Sequence, residues 1–462
     1  MALLCSFKKE YCCVTNTHST MRRKRDIIIS GFSKLLKEEK LKLVAEYFEN
    51  PGEVVSLLKS FWHSDVDQQK LFDEFSENTI TNFYIPYGIA PNVVINGRNY
   101  LVPMVIEESS VVAAASAAAK FWSERGGFHS EILDTKKVGQ VHFSWSGESH
   151  VLFTMLPSLK RRLIESVSTI TANMEKRGGG ILDIELIDMT DQIADYYQFL
   201  VTFETKDSMG ANFINSVLEE FGQTLKVFLS EQIHLSDEHR QCEIIMAILS
   251  NYTPECVVKT WVECKLDQLD NVDEKLNGEA FARKFEKAVK IAEVDVYRAT
   301  THNKGIYNGI DSVAIATGND FRAIEAAGHA YATRTGKYKS LSYVEIENDT
   351  FRFILEVPMA VGTVGGLTSL HPLAKQSLEL LGNPSARELM MIASVMGIAN
   401  NFSAVKSLTT KGIQAGHMKM HLFNILNHFK ASDNEKNAAV EHFKDQKVSF
   451  SSVGQYIASL RK

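Results

Sequence analysis

Several features that define common protein classes are missing from this chain of 462 residues. No GxGxxG motif occurs, which argues against the standard Rossmann dinucleotide fold. The six cysteines form no CxxC pair, and their spacing suits neither a zinc site nor a disulfide scaffold, so reduced thiols in a cytoplasm are expected. The net charge of -6 and the lack of a long basic block argue against a nucleic-acid surface.

Long hydrophobic runs are also missing. The most apolar stretch of small residues, Val111 to Ala119, falls far short of the ~20 residues that a bilayer requires. The apolar run near the N-terminus, Ala2 to Leu4, is too short for a signal peptide. These features predict a cytoplasmic chain without a membrane partner, in which residues 1–21 are a disordered lead or an over-called start.

The hydrophobic pattern predicts an α+β architecture. Residues 26–75 are expected to be helical, and Asn96-Gly97 between two apolar runs predicts a β-hairpin. Residues 134–250 alternate between strand and helix patterns and are interpreted as an inserted α+β unit. Its predicted strands are 138–143, 181–186, 199–203 and 243–249, and its predicted helices are 158–176 and 211–229.

The densest group of polar residues lies between positions 297 and 320. It combines the cations Arg298 and Lys304 with the amide of Asn308, and it ends at Asp320. Buried charge is costly unless it is paired. A polar segment of this kind between two apolar segments is therefore predicted to be a site, with turn-forming residues around Lys304.

Shorter motifs admit a structural interpretation beside a functional one. Glu107-Glu108-Ser109-Ser110 precedes an alanine-rich helix and could be a helix cap, and Asp320 could be an N-cap. The turn 207–212, between a predicted strand and a predicted helix, offers free N–H groups to a phosphate. His417 and His421 have the i, i+4 spacing of a zinc site, but no HEXXH pattern completes it, so metal is not predicted.

Seven blocks in one order resemble the 3-hydroxy-3-methylglutaryl-CoA (HMG-CoA) reductases, specifically the soluble bacterial class II form. The resemblance runs from about Glu77 to the C-terminus. Its blocks are Glu77-Asn78, 95–98, Glu107-Glu108 with 110–116, 207–212, 297–320, 361–366 with 371–374, and 412–418.

The resemblance implies reduction of HMG-CoA to mevalonate and CoA by two hydrides from NADPH or NADH, without a metal. Its catalytic residues fall on Glu108, Lys304, Asp320 and His417. Lys304 would stabilise the oxyanion, His417 would protonate the departing CoA thiolate, and Glu108 would protonate the final alkoxide. Asp320 would lie beside Glu108 and orient Lys304.

The resemblance also implies binding positions. Substrate contacts fall on Ser110, Arg298, Asn308 and Asn401. Cofactor contacts fall on Asp207, Met209, Gly210, Asn212, Asn251, Val361 and Gly362. Arg298 would hold the free carboxylate of the substrate. Thr171 stands where some NADH-preferring relatives have an acidic residue that repels a 2′-phosphate, which leaves NADPH acceptable and gives a slight lean towards it.

The family fold implies a large mixed substrate-binding domain at 22–133 and 251–409, with a smaller inserted α/β domain at 134–250. That inserted domain would bind NAD(P)H with a non-classical dinucleotide fold, and a C-terminal helical flap would occupy 410–462. The family also implies a homodimer or an oligomer built from dimers. Other readings remain open at this point: the same enzyme run oxidatively for mevalonate breakdown, a non-redox CoA-binding protein, and a zinc hydrolase using His417 and His421.

Overall fold

The computed structural model describes residues 28–270, 272–410, 422–444, 446 and 448–461. The chain divides into two compact units, residues 1–86 and residues 87–462. The first unit contains α1 (Lys37–Ala45), α2 (Pro51–Ser60) and α3 (Val66–Asp73) after a short 3-10 turn, Phe32–Lys34. The helical prediction for this region is confirmed for its described residues.

Trp62 is the centre of the first unit. The ammonium of Lys37 lies 4.1 Å from the centroid of the Trp62 ring, and the same ammonium pairs with Asp73 at 2.7 Å. The indole Nε1 donates to the carbonyl of Ile80 at 2.9 Å. An aromatic ring with a polar edge thus joins the helices to the extended segment that follows them.

The second unit alternates helices with strands. Its elements in chain order are β1 Tyr87–Ile95, β2 Arg98–Val105, α4 Val111–Ser123, β3 His129–Ile132, β4 Lys137–Ser144, α5 Ser149–Ser166, α6 Ser168–Glu175, β5 Gly180–Asp188, β6 Tyr196–Glu204, α7 Ala211–Ser230, β7 Glu243–Ser250, β8 Val257–Lys265, α8 Gly278–Val294, α9 Val296–Ala316, α10 Phe321–Ala332, β9 Ser342–Glu347, β10 Thr350–Pro358, α11 Leu367–Leu370, α12 Pro372–Leu380, α13 Ala386–Thr409, α14 Asp433–His442 and α15 Phe450–Leu460. The predicted α+β architecture is confirmed.

The predicted hairpin is formed by β1 and β2. Ile95 pairs with Arg98, which leaves Asn96-Gly97 as a two-residue loop. Asn96 has φ 48° and Gly97 has φ 82°. Positive φ at both positions is the type I′ geometry, whose twist matches that of the strands.

The central sheet has the antiparallel order β3-β8-β10-β9. Buried aromatic rings connect it to the surrounding helices. Trp122 of α4 stacks on Phe351 of β10 with ring centroids 6.5 Å apart, and it meets Phe402 of α13 edge-on at 5.0 Å. Such pairs add to the stabilisation that burial of the rings already provides.

A second antiparallel sheet, in the order β5-β6-β4-β7, is built from the residues between β3 and β8. Helices α5 and α7 cover it, and its core is separate from that of the central sheet. All four predicted strands are confirmed. The predicted helix 158–176 is instead two helices, α5 and α6, because the chain leaves helical geometry at Val167.

Helix α13 lies in the interior. Among the described residues, it is the one helix long and apolar enough to cross a membrane by length and composition, and 78% of its apolar window is buried within the protein. A helix that is apolar on all sides is also typical of the core of a large domain. Its buried positions on every face show that α13 is such a core helix here.

The C-terminal region beyond α13 is helical in its described part. Residues 422–428, α14 and α15 pack around Leu426, Phe443 and Val453. The predicted helical character of the tail is confirmed there. His417, His421 and the glycines at 412 and 416 lie outside the described residues.

Helices α9 and α13 cross at very short range because both have glycine at the crossing. A Cβ at Gly309 would lie 2.0 Å from the carbonyl oxygen of Met396, and a Cβ at Gly397 would lie 2.9 Å from Cγ1 of Ile310. Backbone cannot move aside as a flexible side chain can. The spacing of the two helices therefore depends on the missing side chains.

We expect Gly309→Ala to lower the free energy of unfolding by about 1–3 kcal/mol, because the added methyl forces α9 away from α13. Gly305→Ala is the matched control on the same helix, since its Cβ would meet nothing closer than the Asn401 Nδ2 at 3.7 Å. The control should match or exceed wild type by up to ~1 kcal/mol through helix propensity. Urea unfolding of both variants checks this, and equal midpoints would contradict the packing argument.

A partly buried pair of carboxyl groups, Asp311 and Glu325, lies between α9 and α10. Burial, together with the charge and hydrogen bond of Glu325, raises the pKa of Asp311 to about 8. Oδ1 of Asp311 is buried and accepts no hydrogen bond from any described residue, and the same is true of the Tyr307 hydroxyl. The pair is therefore expected to hold a proton at neutral pH.

This proton makes stability depend on pH. Between the unfolded pKa of about 3.9 and the folded value, the folded state binds a proton that the unfolded state releases, so the free energy of unfolding should fall as pH rises. Asp311→Asn imitates the neutral carboxyl and should flatten this decline, which is expected to exceed roughly 1 kcal/mol between pH 5 and 8. Denaturant unfolding at several pH values measures it. A variant as pH-dependent as wild type would exclude the pair as the source.

Candidate active site

Helix α9 contains most of the predicted polar site. Residues 296–316 form one continuous helix, so the expectation of turns around Lys304 is wrong. The helix begins at Asp295, whose side chain accepts from the Arg298 N–H at 2.7 Å. Glycines inside a helix usually indicate a break, but here Gly309 serves the close contact with α13. The polar residues are therefore divided between a buried and an exposed face.

The exposed face places Lys304 against Glu108. The Lys304 Nζ lies 2.5 Å from Oε2 of Glu108, which precedes α4. The two side chains remain 60% and 40% exposed. Asn308, one helical turn after Lys304, lies on the same face. A cation and a carboxylate thus meet at a surface that is open to a ligand, with an amide on the same face of the helix.

Ser110, next to this pair, has an unusual backbone. It is the N-cap residue of α4, at φ 81°, and its side chain makes no cap hydrogen bond. The helix-capping interpretation of the Glu107–Ser110 motif is therefore wrong for this hydroxyl. A non-glycine residue with positive φ is strained, and such strain concentrates at functional sites.

Arg298 is a half-buried cation. Burial lowers the pKa of its guanidinium. No carboxylate within the described ranges forms an ion pair with it, although several arginines elsewhere in this unit do. A half-buried guanidinium without a protein carboxylate is a good receptor for an anionic ligand.

Asp320 is placed differently from the prediction. It caps α10 by accepting from the N–H groups of Arg322 and Ala323, and it forms a two-point ion pair with the Arg322 guanidinium at 3.0 and 3.1 Å. Partial burial would raise the pKa of Asp320, but the bonds from Arg322 and the helix N–H groups lower it overall. The N-cap interpretation is thus confirmed, and the structure joins Lys304 to Glu108 rather than to Asp320.

Asn401 lies in a buried network, with 1% of its surface exposed. Its Nδ2 donates to the carbonyl of His302 at 3.2 Å, and its Oδ1 accepts from the Ser342 hydroxyl at 3.1 Å. Since the Ser342 hydrogen is used in this way, the imidazole Nε2, 2.6 Å away, must be the donor to Ser342. The network fixes the His302 tautomer and ties α9, α13 and β9 together.

The same network keeps His302 neutral. Burial, with a further contribution from the Arg298 charge, lowers its pKa to about 3. Its Nδ1 is buried and has no hydrogen-bond partner among the described residues. The sequence analysis did not assign His302 or Ser342 to the site. A buried histidine that forms its hydrogen bond inside the protein leaves no pattern in the sequence.

The predicted cofactor turn connects β6 to α7. Gly210 is the N-cap of α7 at φ 93°, and no side chain caps this end of the 20-residue helix. A Cβ at Gly210 would lie 2.5 Å from Cγ2 of Thr205. The turn therefore presents uncapped N–H groups at the positive end of a long helix, which suits the pyrophosphate of a dinucleotide.

Lys137, which the sequence analysis did not identify, holds this turn through hydrogen bonds from its side chain. Its buried ammonium donates to Oγ1 of Thr205 at 2.5 Å and to the carbonyl of Ser208 at 3.0 Å. Burial lowers the pKa of this lysine. Its position at the start of β4 looks like an ordinary strand end, so the sequence offered no sign of its role.

The remaining predicted cofactor residues divide into two groups. Met209 and Asn251 line one narrow pocket, whose other walls are Lys137, Val138, Ile214, Leu249, Ser250, Thr253, Ala323, Ala327 and Ala360. Asn212 is exposed in the first turn of α7. By contrast, Oδ1 of Asp207 accepts from Ala386 N at 2.8 Å, so this carboxylate caps α13. The side chain of Val361 is buried in the core.

Thr171 cannot act as predicted in the choice of cofactor. It is only 2% exposed and faces the interior from α6. A side chain in this position does not reach a bound 2′-phosphate. The argument for NADPH from Thr171 is therefore wrong.

A metal centre is not formed by the described residues. No group of three His, Cys, Asp or Glu side chains in those ranges could hold an ion. His417 and His421, on which the zinc alternative depended, lie outside them. The catalytic assignment of His417 stays a prediction for the same reason.

Comparison with known proteins identifies the family. A profile described as hydroxymethylglutaryl-coenzyme A reductase matches residues 37–422. The 3-hydroxy-3-methylglutaryl-coenzyme A reductase of Archaeoglobus fulgidus is 36% identical over 423 residues, which are 91% of this chain and 92% of that protein. The probable enzyme of Borreliella burgdorferi is 32% identical over 407 residues, 88% and 90% of the two chains.

A solved structure agrees with these sequences. The class II 3-hydroxy-3-methylglutaryl-CoA reductase of Streptococcus pneumoniae, bound to NADPH in open conformations, is 37% identical and superposes with a TM-score of 0.67. The aligned region covers 83% of this chain and 100% of that one. With a family profile that spans residues 37–422 and nearly full-length relatives of one kind, the chain belongs to the hydroxymethylglutaryl-coenzyme A reductase family.

Proposed function

We propose that this chain reduces HMG-CoA to mevalonate and free CoA with NAD(P)H, the reductive step of the mevalonate pathway. Family membership and the NADPH-bound relative support this activity. The observation that carries it is the contact of 2.5 Å between Lys304 and Glu108 on an open surface. This pair places an oxyanion partner and a proton donor side by side, as carbonyl reduction requires.

The substrate would be held at both ends. Arg298 would bind the free carboxylate, because its guanidinium is half buried and has no carboxylate partner among the described residues. Ser110 and Asn308 would contact the polar groups between that carboxylate and the thioester. Asn401 would act through its position in the buried network, since both ends of its amide already bond to protein groups.

When bound at the turn before α7, NAD(P)H would supply one hydride to the thioester carbonyl, and a second molecule would supply one hydride to the aldehyde. In the first step Lys304 stabilises the negative charge that develops on the carbonyl oxygen. The thiohemiacetal then loses CoA as the carbon–sulfur bond breaks, and His417 gives the departing thiolate its proton. In the second step Glu108 gives a proton to the alkoxide, which becomes the alcohol of mevalonate.

Asp320 keeps its place in this scheme through a change of partner. Its ion pair with Arg322 is solvent-exposed, with 76% of the arginine side chain accessible. Exposed ion pairs of this kind contribute little to stability, because solvent screens them. When substrate binds, Asp320 could therefore leave Arg322 and pair with Lys304 at little cost in free energy. This change of partner would place the Asp320 carboxylate next to the lysine that stabilises the reacting carbonyl.

The cofactor would bind at the turn before α7. Met209, Gly210 and Asn212 would contact its pyrophosphate through backbone N–H groups and the asparagine side chain. Asn251, Val361 and Gly362 would border it from the other side. Asp207 would contribute through the backbone, because its carboxylate caps α13.

The domain division, the assembly and the cellular location belong to the same proposal. The substrate domain would comprise 22–133 and 251–409, the cofactor domain 134–250 and the flap 410–462. A homodimer, or an oligomer of dimers, in the cytoplasm is proposed from the family resemblance. The exposed Lys304–Glu108 pair fits this assembly, since water must be excluded before hydride transfer.

The test is the loss of reduced-nicotinamide absorbance on addition of HMG-CoA, with NADPH and NADH in parallel. We expect two cofactor molecules to be oxidised for each CoA released, because the thioester needs two hydrides to become an alcohol. CoA is followed separately with a thiol reagent. Folded protein that binds HMG-CoA but oxidises neither cofactor would instead identify a non-redox CoA-binding protein.

We expect Lys304→Ala to lower kcat by at least about 10²-fold, the usual loss when an oxyanion donor is removed. The side chain is mostly exposed, so thermal unfolding should change little. Lys284→Ala on the exposed face of α8 is the matched control and should keep wild-type turnover. A folded Lys304→Ala enzyme with normal kcat would eliminate the proposed role of this lysine.

A further inference from the structure

The segment 361–366 runs between the cofactor turn and the connection from α9 to α10. On one side, Thr363 N donates to the carbonyl of Asp207 at 2.8 Å. On the other side, Gly362 N donates to Oδ1 of Asn319 at 2.8 Å. Consecutive residues of one segment therefore bond to the inserted sheet unit and to the helices that hold Lys304 and Asp320.

The backbone is closely packed at Gly362, whereas residues 364–366 are exposed. A Cβ at Gly362 would lie 2.6 Å from Met209 N, so the two backbones touch. A Cβ at Gly318, which has φ 72°, would lie 3.0 Å from the backbone of Leu367 and Thr368. Glycine at both positions allows the segment to lie between the two backbones in direct contact.

The Asn319 side chain suits this position because its amide accepts one hydrogen bond and donates another. Its Oδ1 must face Gly362, because a backbone N–H can only donate. Its Nδ2 donates to Oγ1 of Thr317 at 3.1 Å, and that hydroxyl uses its own hydrogen on the carbonyl of Val313. A carboxylate or an alkyl group could not satisfy both neighbours, so an amide is required here.

The connection matters because the proposed reaction needs both the cofactor turn of the inserted sheet unit and the charged residues of the α9–α10 region. The inserted sheet unit is joined to the rest of the chain by two covalent connections, before β4 and after β7. Relative motion of such a unit is the default expectation. Hydride transfer requires the reacting atoms to be held about 3–3.5 Å apart, and a displacement of 1 Å can cost ~10²-fold in rate.

We propose that residues 361–366 form a strut that sets the distance between the cofactor turn and the α9–α10 region, and that Asn319 is the positioning residue that holds it. The inference rests on the proposed reductase function and extends it to residues outside the reacting groups. Asn319 would act through the strut, without touching the substrate. The Asp207 cap on α13 would fix the far side of the turn in the same way.

The test combines amide hydrogen exchange with kinetics on the full chain. In wild type, the amides of Gly362 and Thr363 should exchange slowly, since both donate to protein acceptors. Asn319→Ala should raise their exchange rate and lower kcat with HMG-CoA by about 10- to 100-fold. The isotope effect with deuterated NADPH should rise, because hydride transfer becomes slower than the other steps. The Kd of NADPH, measured by fluorescence without substrate, should change less than about threefold, since the turn itself is intact.

Two further variants keep the result interpretable. Asn319→Asp retains the acceptor for Gly362 but loses the donor to Thr317, so its kcat should lie between those of wild type and Asn319→Ala. Ser312→Ala removes a buried hydroxyl that bonds only within α9, and it should cost stability while kcat is kept. The exchange measurement needs no substrate, so protected amides in an inactive wild-type protein would refute the reductase function and leave the strut geometry standing.

The positioning role would be overturned by either of two results. Faster exchange at Gly362 with an unchanged kcat would show that the distance set by the strut does not limit hydride transfer. A weaker Kd for NADPH with kcat unchanged at saturating cofactor would show that Asn319 affects cofactor binding alone and does not position the reacting groups.

Discussion

The close crossing of α9 and α13 is the constraint on which the rest of the structure depends. Gly309 and Gly397 bring the two backbones into contact, and the core of the central sheet forms around them. One face of α9 is thereby committed to the interior. Lys304 and Asn308 are directed to the other face, where Glu108 meets them. A site with accurately placed charges is thus built on a close contact between two backbones, in keeping with the precision that catalysis demands.

Some polar side chains around this crossing have hydrogen-bond or ion-pair partners within the protein, and others lack them among the described residues. His302, Ser342 and Asn401 bond to one another and hold α9 against α13 and β9. Arg298, by contrast, is half buried without a carboxylate among the described residues. Satisfied buried networks specify a unique arrangement, whereas an unpaired cation represents free energy that a ligand can recover. The same helix therefore provides both the scaffold and the binding charge.

The connection between the two sheets also depends on close contacts that fix distances. The Asp207 carboxylate ties the cofactor turn to the start of α13, and Gly362 brings the backbone of the 361–366 strut against that of the turn. Asn319, the residue before Asp320, joins this group to the connection between α9 and α10. Each contact is a short hydrogen bond or a glycine-to-backbone approach, and none depends on a long flexible side chain. Distances set in this way change little with side-chain motion.

The sequence by itself determined the family, the α+β class, the hairpin at Asn96-Gly97 and the strands of the inserted sheet. These features depend on local turn chemistry, on apolar periodicity and on motifs in a fixed order. All of these are visible in the sequence without knowledge of contacts between distant residues. The sequence also identified Glu108, Lys304 and Arg298 as candidates for the site, whose catalytic and binding roles stay predictions.

Only the tertiary structure decided which polar residues face a ligand and which face the core. It showed that Lys304 lies in a continuous helix, that Thr171 faces inward and that the Asp320 carboxylate bonds to Arg322. It also revealed Lys137, His302 and Asn319, whose importance depends on partners far away in the chain. Burial and partner choice are properties of contacts between distant segments, and packing can override any local pattern. For this reason the sequence identified the groups, while the fold assigned their neighbours.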